Sequence, residues 1–408
     1  MKSIKYMYAR LFVVAFALML STLAHAVSDE VQFADDSVEV SLLTCSPHDE
    51  IYSLYGHTAI RYHDLRTGED WTFNYGVFNF KASFFVARFL FGLTDYELGV
   101  VPFSVFKAEY QRFGCTVTEQ VLNFTPKEKQ ALRRALEENY KPENRVYRYN
   151  FLYDNCTVRA RNIIERSIGD ERINYEAQRL GLPLEDDCNT YRKLLHRYTK
   201  GHPWAEFGDD LCLGFKADLK ITWREKQFLP EELMSDMQNG RIFGGYGGVR
   251  NLLKETRVAV EPGVQFVKSG FPLTPNQCFY ILLALSAIVA ALEYRRRRTF
   301  VVWDALLMTI VGLAGIFIGL LFFSQHPTTS TNLQILLLCP ATLYFLPAVL
   351  RRRPTRYWKI SLILLILFFL GSLLQDYAEG MEILALCLLI RVCVNIYLGA
   401  QGNRTEKK

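Results

Sequence analysis

The distribution of apolar residues divides the chain into two unlike parts. Residues 27–270 mix apolar, polar and charged positions, whereas residues 276–400 are almost entirely apolar. The apolar part breaks into segments that are each close to the length of a membrane-spanning helix. We place five segments, at 276–294, 300–323, 333–350, 358–375 and 382–400. The pattern predicts a mixed domain over 27–270, followed by a five-span transmembrane domain over 271–408.

Alternating apolar and polar residues in the first domain predict antiparallel strands. The clearest stretch is 37–43, and extended patterns follow at 59–62 and 71–77, separated by a polar turn that contains a glycine. Another alternating stretch covers 117–124. We therefore expect a sheet in which His57 stands at the start of a strand.

Two helices are predicted from the residues that begin them. The segment 125–128 combines a threonine N-cap, a proline in the first turn and a capping-box glutamate, which predicts a helix over 126–140. Asn155, or Asp154 beside it, can cap a second helix over 156–168. This second helix would begin with a cysteine.

The N-terminus has the three parts of a secretory signal. Three basic residues within 2–10 precede an apolar run over 11–24, and small residues flank His25 at the end of the signal. We expect residues 1–26 to be a signal peptide that is cleaved after Ala26. An uncleaved N-terminal anchor is the alternative.

Charge in the loops of the apolar half predicts its orientation. The loops 295–298 and 351–359 and the C-terminal residues 404–408 are basic, whereas the loops 324–332 and 376–381 contain no Lys or Arg. Under the positive-inside rule, the basic loops and the C-terminus are cytoplasmic and the first domain is periplasmic, on the inner membrane. The net charge of +5 is small for this length and does not favour nucleic-acid binding.

Two ionisable residues, Asp304 and Arg391, lie within or near the predicted spans. Such residues face protein or water and are candidates for function. A structural pair between the two is the simpler interpretation.

The number of cysteines in the first domain is odd. They are Cys45, Cys115, Cys156, Cys188 and Cys212. Pairs between Cys45 and Cys115 and between Cys188 and Cys212 would leave Cys156 free, and a domain without disulfides is the alternative. No His, Cys or carboxylate spacing is typical of a metal site, so we expect neither metal nor cofactor.

Two short motifs, 56–61 and 154–157, carry the candidate chemistry. Cys156 would begin a helix, where the dipole and the free N–H groups lower a thiol pKa and can bind an oxyanion. His57 can act as the base, and Asn74 on the neighbouring strand can orient its ring. The three residues predict a cysteine enzyme that works through a thioester.

Each of these residues also has a structural interpretation. A lone exported cysteine is most often a disulfide partner, and a lone histidine is most often a satisfied surface or core residue. Asn74 could instead serve a turn or cap. His63 is a second candidate base, although the polar turn that begins at Asp64 favours its exposure.

These residues lie in blocks that resemble a known bacterial family. The segments 45–61, 73–80 and 149–159 are similar to successive blocks of the lipoprotein N-acyltransferase family called Lnb. In the tail, 324–327 and Asn332 are similar to its first external loop. The resemblance covers essentially the whole mature chain.

The resemblance implies a fold class and a reaction. The fold would be α+β, with a permuted papain-like (NlpC/P60-like) periplasmic domain followed by a five-helix transmembrane domain. Cys156 would take an acyl chain from a phospholipid donor and pass it to the α-amino group of a diacylated lipoprotein acceptor, with His57 as base. Candidate substrate-binding residues within the similar blocks are Asn155, Arg61, Tyr75 and His326.

Two other functions fit the same residues. A membrane-anchored amidase or peptidase could use the Cys156–His57 pair on peptidoglycan. A non-enzymatic sensor or scaffold would need neither side chain. Five spans beside the domain favour a lipid substrate, since a soluble peptidoglycan enzyme has no evident need for them.

Overall fold

The computed structural model of the chain describes most of both domains. It covers residues 37–78, 81, 83–175, 189–244, 248–265, 270–353 and 355–405. The predicted signal peptide, residues 1–26, and Cys188 lie outside the described residues.

The periplasmic domain is built on a seven-stranded sheet in the order β10-β5-β1-β2-β3-β4-β6, with every neighbouring pair antiparallel. The predicted strands at 37–43, 59–62 and 71–77 are confirmed as adjacent strands. Those three form the centre of the sheet. The seven strands are β1 (Val38–Cys45), β2 (His57–Asp64), β3 (Glu69–Val77), β4 (Asp95–Pro102), β5 (Val117–Leu122), β6 (Val146–Arg148) and β10 (Leu253–Val260).

A smaller sheet and eight helices complete the described part of this domain. The small sheet has the order β7-β8-β9. Its strands are Arg172–Asn174, Arg241–Phe243 and Val249–Asn251. The helices are α1 (Phe85–Leu90), α2 (Phe103–Phe113), α3 (Pro126–Tyr140), α4 (Cys156–Ser167), α5 (Tyr191–Thr199), α6 (Pro203–Cys212), α7 (Trp223–Lys226) and α8 (Pro230–Gln238).

One face of the large sheet packs against α3 and α4. Thr125 and Glu128 form the predicted capping box, so the helix predicted over 126–140 is confirmed. Its 3.6-residue period directs Leu132 and Leu136 inward, where both are fully buried against Ile60 of β2. The same core positions α4 beneath β2 and β3.

The opposite face of the sheet packs against α2. Ala59 of β2 is buried there with Phe103 and Phe106 of the helix. Successive side chains of a strand point to opposite faces. The two layers of helix therefore hold β2, and with it His57, from both sides.

Five apolar helices form the membrane domain, which confirms the predicted fold class. Three of them are long and apolar enough to cross a membrane, whereas α12 has 15 residues. The five are α9 (Pro275–Arg296), α10 (Val301–Leu321), α11 (Thr342–Leu350), α12 (Tyr357–Gly371) and α13 (Met381–Thr405).

The third apolar segment differs from the continuous span predicted over 333–350. It starts as a 3₁₀ turn, Leu333–Leu336, and becomes helical only at Thr342. Pro340 lies between the two parts, and proline supplies no backbone N–H for a continuous helix. The break packs directly on α10, because a Cβ on Gly315 would clash with the carbonyl oxygen of Leu338.

Charged side chains join three membrane helices. Arg391 of α13 pairs with Glu293 of α9 at 2.6 Å and with Asp304 of α10 at 2.8 Å, and all three are buried. The structural interpretation of Asp304 and Arg391 therefore holds, with Glu293 as an additional partner.

The periplasmic domain docks on the membrane domain through α6 and the segment that follows it. The side chain of Asn332 donates to the carbonyl of Leu211 at 2.8 Å, and the N–H of Gly214 donates to the carbonyl of Thr328 at 2.7 Å. The side chain of Gln334 donates to the carbonyl of Asp210 at 2.9 Å. These bonds hold the sheet domain against the periplasmic end of the membrane helices.

Candidate active site

Cys156 is the first residue of α4, as the sequence predicts. The Oδ1 of Asn155 caps the helix by accepting from the N–H of Val158 at 2.9 Å. The amide of Asn155 donates to the carbonyls of Phe151 and Phe228 at 2.9 and 2.8 Å. Because all these groups are satisfied within the protein, the geometry of Asn155 supports positioning of Cys156 rather than direct substrate contact.

His57 begins β2, and Asn74 lies on the adjacent strand β3. The Nε2 of His57 is 2.5 Å from the Oδ1 of Asn74. An amide oxygen only accepts a hydrogen bond, so this contact places the proton on Nε2. The other ring nitrogen, Nδ1, is then the one that can take a proton from a thiol.

The imidazole of His57 and the thiol of Cys156 shift each other's pKa. Burial raises the pKa of Cys156, but the charge and hydrogen bond of His57 outweigh burial and lower it overall. Burial lowers the pKa of His57, but the charge and hydrogen bond of Cys156 and the bond to Asn74 raise it overall. Both shifts favour a thiolate–imidazolium pair.

Thr58, next to the base, contributes to the site twice. Its backbone N–H faces the thiol of Cys156 and lowers the pKa of that thiol further. Its hydroxyl lies 3.0 Å from the hydroxyl of Thr157, and both residues are fully buried. This contact joins β2 to α4 and thereby fixes the sulfur opposite the ring.

Gly76 closes one side of the site. A Cβ on Gly76 would lie 3.7 Å from the Cβ of Cys156 and 3.9 Å from the Cε1 of His57, and its φ is +95°. A side chain there would strain the backbone and fill space beside both reacting groups.

Two further predicted residues are committed to the fold. The guanidinium of Arg61 pairs with Asp70 at 2.7 Å and with Glu119 at 3.0 Å. Tyr75 is buried in the core, and its hydroxyl accepts from the side chain of Asn139 at 2.9 Å. Their geometry supports structural roles, so the structure brings Cys156, His57 and Asn74 together without these two.

His326 lies in the loop between α10 and α11 and reaches back to the periplasmic domain. Its Nε2 donates to the carbonyl of Phe89 in α1 at 2.9 Å, and the two rings are 6.0 Å apart. Burial lowers the pKa of His326, although the bond to Phe89 opposes this effect. His326 therefore links the membrane domain to α1 as a neutral ring.

Sequence reasoning missed the tyrosines around Cys156. Burial raises the pKa of Tyr96, Tyr147 and Tyr149, and the negative charge of Cys156 raises it further. Tyr149 is the first residue of the block 149–159, but no role is predicted for it from the sequence. Tyr96 carries no local signal, because it lies on β4, far from Cys156 in the sequence, and only the fold brings the two residues close.

Two other cysteines of this domain that the structure describes, Cys45 and Cys115, are poorer candidates for this role. Cys45 and Cys115 are free thiols, and burial raises the pKa of each. Cys188 lies outside the described residues, so its predicted pairing with Cys212 stays a prediction.

One cluster in the described residues has the geometry of metal ligands. Ligand atoms of His196, Glu206 and Asp210 lie within 4.8 Å of one another. The carboxylate of Asp210 already pairs with Arg192 at 2.7 Å and with His196 at 2.9 Å. Its charge is thus neutralised within the protein, and the cluster lies apart from the Cys156 chemistry.

Comparison with known proteins identifies the family. A model of the Lnb N-terminal periplasmic domain matches residues 29–197, and a model of the Lnb transmembrane domain matches residues 267–402. No curated protein and no solved structure gives a match. Cys156, His57 and Asn74 all fall within the first region. The chain therefore belongs to the Lnb family and is a membrane protein with an N-terminal periplasmic domain and a transmembrane domain.

Proposed function

We propose that this protein is a cysteine-dependent lipoprotein N-acyltransferase. It would move a fatty acyl chain from a phospholipid to the α-amino group of the lipid-modified N-terminal cysteine of a lipoprotein. The observation that carries the proposal is geometric: Cys156 begins a capped helix beside the ring of His57, and the Nε2 of that ring is bonded to Asn74. The opposite pKa shifts of Cys156 and His57 agree with it. A thiolate in a domain docked on membrane helices is suited to a lipid ester.

The first half-reaction forms the acyl-enzyme. The thiolate of Cys156 attacks the ester carbonyl of the phospholipid, and N–H groups in the first turn of α4 stabilise the oxyanion. The C–O bond then breaks, and the imidazolium of His57 gives its proton to the leaving alkoxide of the lysophospholipid. The product is a fatty-acyl thioester on Cys156.

The second half-reaction transfers the chain. The lipoprotein amine attacks the thioester, and neutral His57 accepts a proton from the nitrogen as the amide forms. The C–S bond breaks and regenerates the thiolate beside the imidazolium. Each step uses the same pair, so no other titrating group is required.

The proposed location is the inner membrane, with a cleaved signal peptide over 1–26 and a cytoplasmic C-terminus. The family match to a periplasmic and a transmembrane domain supports this arrangement. Both substrates would then lie in the outer leaflet next to the catalytic domain. Diffusion in two dimensions would raise their local concentration.

The test is to identify the acyl group on Cys156. Purified full-length protein in lipid nanodiscs is incubated with phospholipid and examined by intact mass spectrometry. We expect a hydroxylamine-labile fatty-acyl adduct that disappears in Cys156→Ala and His57→Ala and persists in Cys45→Ala. When a diacylated lipopeptide is then added, it should gain a third acyl chain.

Other outcomes distinguish the alternatives. A peptidyl adduct on Cys156 after exposure to peptidoglycan fragments would favour an amidase. Lipoprotein N-termini that stay triacylated in cells producing only Cys156→Ala at normal levels would contradict the proposal and favour a scaffold, provided that no second N-acyltransferase is present.

A further inference from the structure

Five aromatic side chains form a continuous cluster next to the candidate site. Their ring centroids are 5.5 Å apart for Phe78 and Phe85, 5.0 Å for Phe78 and Tyr96, and 4.0 Å for Tyr96 and Tyr149. Phe89 closes the set, at 6.2 Å from Tyr149 and 6.4 Å from Phe85. We call Phe78, Phe85, Phe89, Tyr96 and Tyr149 the aromatic cluster.

The aromatic cluster reaches Cys156 at one end. Burial raises the pKa of Tyr96 and Tyr149, and the charge of Cys156 raises it further, so both rings lie within electrostatic range of the sulfur. Cys156 also packs on the same core as Phe78 and Tyr149. Each of these three residues is only partly buried, so among the described residues some apolar surface beside Cys156 stays accessible.

The aromatic cluster reaches the membrane domain at its other end, through α1. The hydroxyl of Ser324 donates to the carbonyl of Leu90 at 2.7 Å, and the N–H of Gln325 donates to the carbonyl of Phe91 at 2.9 Å. Leu90 itself packs against the core of the membrane helices. Helix α1 is therefore fixed to the periplasmic end of α10.

Large apolar side chains are exposed at this junction. Phe84, just before α1, is 84% exposed, and Val86 on α1 is 65% exposed. Phe323, just after α10, is 82% exposed. Exposed apolar groups beside the end of a membrane helix are typical of an element that lies in the lipid interface. Phe84 also holds a φ of +56°, which is unfavourable for a side chain larger than asparagine.

We propose that the open face of the aromatic cluster binds the acyl chain of the donor phospholipid, which enters sideways from the outer leaflet past α1. This inference rests on the proposed acyl transfer. The acyl chain whose carbonyl bonds to Cys156 must extend along a surface that ends at the sulfur. The aromatic cluster extends from the sulfur to the lipid interface. None of its five rings is charged, which suits a hydrocarbon chain.

The first test locates the bound acyl chain directly. Full-length Cys156→Ser in nanodiscs is irradiated with a phospholipid that carries a diazirine in its acyl chain. Serine keeps the shape of the site and removes the thiol, so the lipid stays unreacted. We expect adducts on Phe85, Phe89 and Tyr149, located by peptide mass spectrometry. Adducts confined to the membrane helices or to other faces of the sheet would overturn the inference.

The second test uses kinetics with donors of two chain lengths. Since each buried methylene strengthens binding roughly fourfold, Phe89→Ala should raise KM for a palmitoyl donor by about tenfold or more while the rate with a butanoyl donor changes less than about twofold. The matched control is Phe243→Ala, which removes a partly exposed ring from the small sheet. An equal loss with both donors would contradict an acyl-chain site.

Two variants at exposed positions provide a second kinetic test, which stays decisive if Phe89→Ala fails to fold. Val86→Ser removes an exposed apolar side chain from α1, and Val105→Ser removes a similarly exposed one from α2. Only Val86→Ser should slow transfer from phospholipid in nanodiscs while leaving the butanoyl rate in detergent unchanged. Identical behaviour of the two variants would contradict entry past α1.

The outcomes separate this inference from the proposed function. A wild-type protein that forms a fatty-acyl thioester while the diazirine lipid labels other surfaces would refute the acyl-chain site alone. A labelled aromatic cluster without any acyl-enzyme would refute the acyltransferase and with it this inference as stated. Labelling by a diazirine lipopeptide but not by the phospholipid would contradict the donor assignment.

Discussion

At the scale of single residues, the thiol pKa values of two cysteines in one domain are shifted in opposite directions. Cys45 of β1 pairs across the sheet with His57, but burial raises its thiol pKa well above the ordinary value. Cys156 is also opposed by burial, yet His57 and the N–H of Thr58 lower its pKa. A thiol whose pKa is lowered by a cationic neighbour has more thiolate at neutral pH and is the better candidate nucleophile.

This difference predicts the pH dependence of alkylation. An ordinary thiol with a pKa of about 8.5 reacts roughly fiftyfold faster with iodoacetamide at pH 8.5 than at about pH 6.5. Because the pKa of Cys156 is lowered, its rate should change much less over that range. His57→Ala should restore the steep profile and slow alkylation near pH 7. Site-resolved mass spectrometry measures the rate, and Cys45 should stay unlabelled in the folded protein.

We expect Asn74 to act on the proposed reaction through His57. Asn74→Ala removes the acceptor on Nε2 and frees the ring to rotate, so we expect kcat to fall about 10- to 100-fold. The alkylation profile of Cys156 should also shift toward that of His57→Ala, because the bond to Asn74 supports the raised pKa of the ring. Asn144→Ala removes a side chain bonded to Glu138 and is the control. Normal kcat in Asn74→Ala would contradict the orienting role.

At the scale of elements, the start of α4 is fixed by one side chain. Asn155→Ala removes the cap and leaves the carbonyls of Phe151 and Phe228 without their donor, so unfolding should become easier by about 1–3 kcal/mol. Thr125→Ala removes the cap of α3 and is the matched control. Both should lower the thermal midpoint of the protein, but only Asn155→Ala should also slow alkylation of Cys156.

Helix α6 carries Asp209, a carboxylic acid whose pKa is raised in the folded protein. Burial raises the pKa of Asp209 to about 6, although the hydrogen bond from Tyr55 at 2.5 Å opposes the rise. An acid whose pKa is raised by folding contributes stability that is present at low pH and is lost as pH rises through the folded pKa. Wild-type protein should thus lose about 1–3 kcal/mol relative to Asp209→Asn between about pH 4 and pH 7. Thermal unfolding of both proteins across that range measures the difference, and parallel curves would contradict it.

At the scale of the whole molecule, buried charges organise the membrane domain. Arg391→Leu would leave Glu293 and Asp304 buried without their partner, and breaking such a pair costs about 3–5 kcal/mol. We expect a large fall in the thermal midpoint in detergent. Adding Glu293→Gln and Asp304→Asn should recover much of it, because no unpaired charge then remains. Arg351→Leu, in an exposed loop, should have little effect.

The polar bonds between the domains have a functional consequence. Asn332 and Gln334 hold α6, while Ser324, Gln325 and the loop around them hold α1. The candidate site is thereby held in a fixed position relative to the membrane helices. The proposed reaction on a lipid ester would benefit from this fixed arrangement, since the ester carbonyl of a phospholipid lies near the membrane surface.

Local patterns in the sequence were sufficient for the helices that begin at Pro126 and Cys156 and for the three central strands. The reason is that capping and periodicity act between residues only a few positions apart. The roles of Cys156, His57 and Asn74 stay predictions, although the structure brings the three residues together. The blocks around His57 and Cys156 also carry the family, which the matches over 29–197 and 267–402 confirm.

Only the tertiary structure decided how distant residues meet. It committed Arg61 to Asp70 and Glu119, buried Tyr75 in the core, and broke the third apolar segment at Pro340. It also placed Glu293 in an ion pair with Arg391 and brought the five rings of the aromatic cluster together. A side chain's partners across the fold depend on strand order and helix packing, which are cooperative properties of the whole chain, whereas a cap or an alternating pattern is complete within one element.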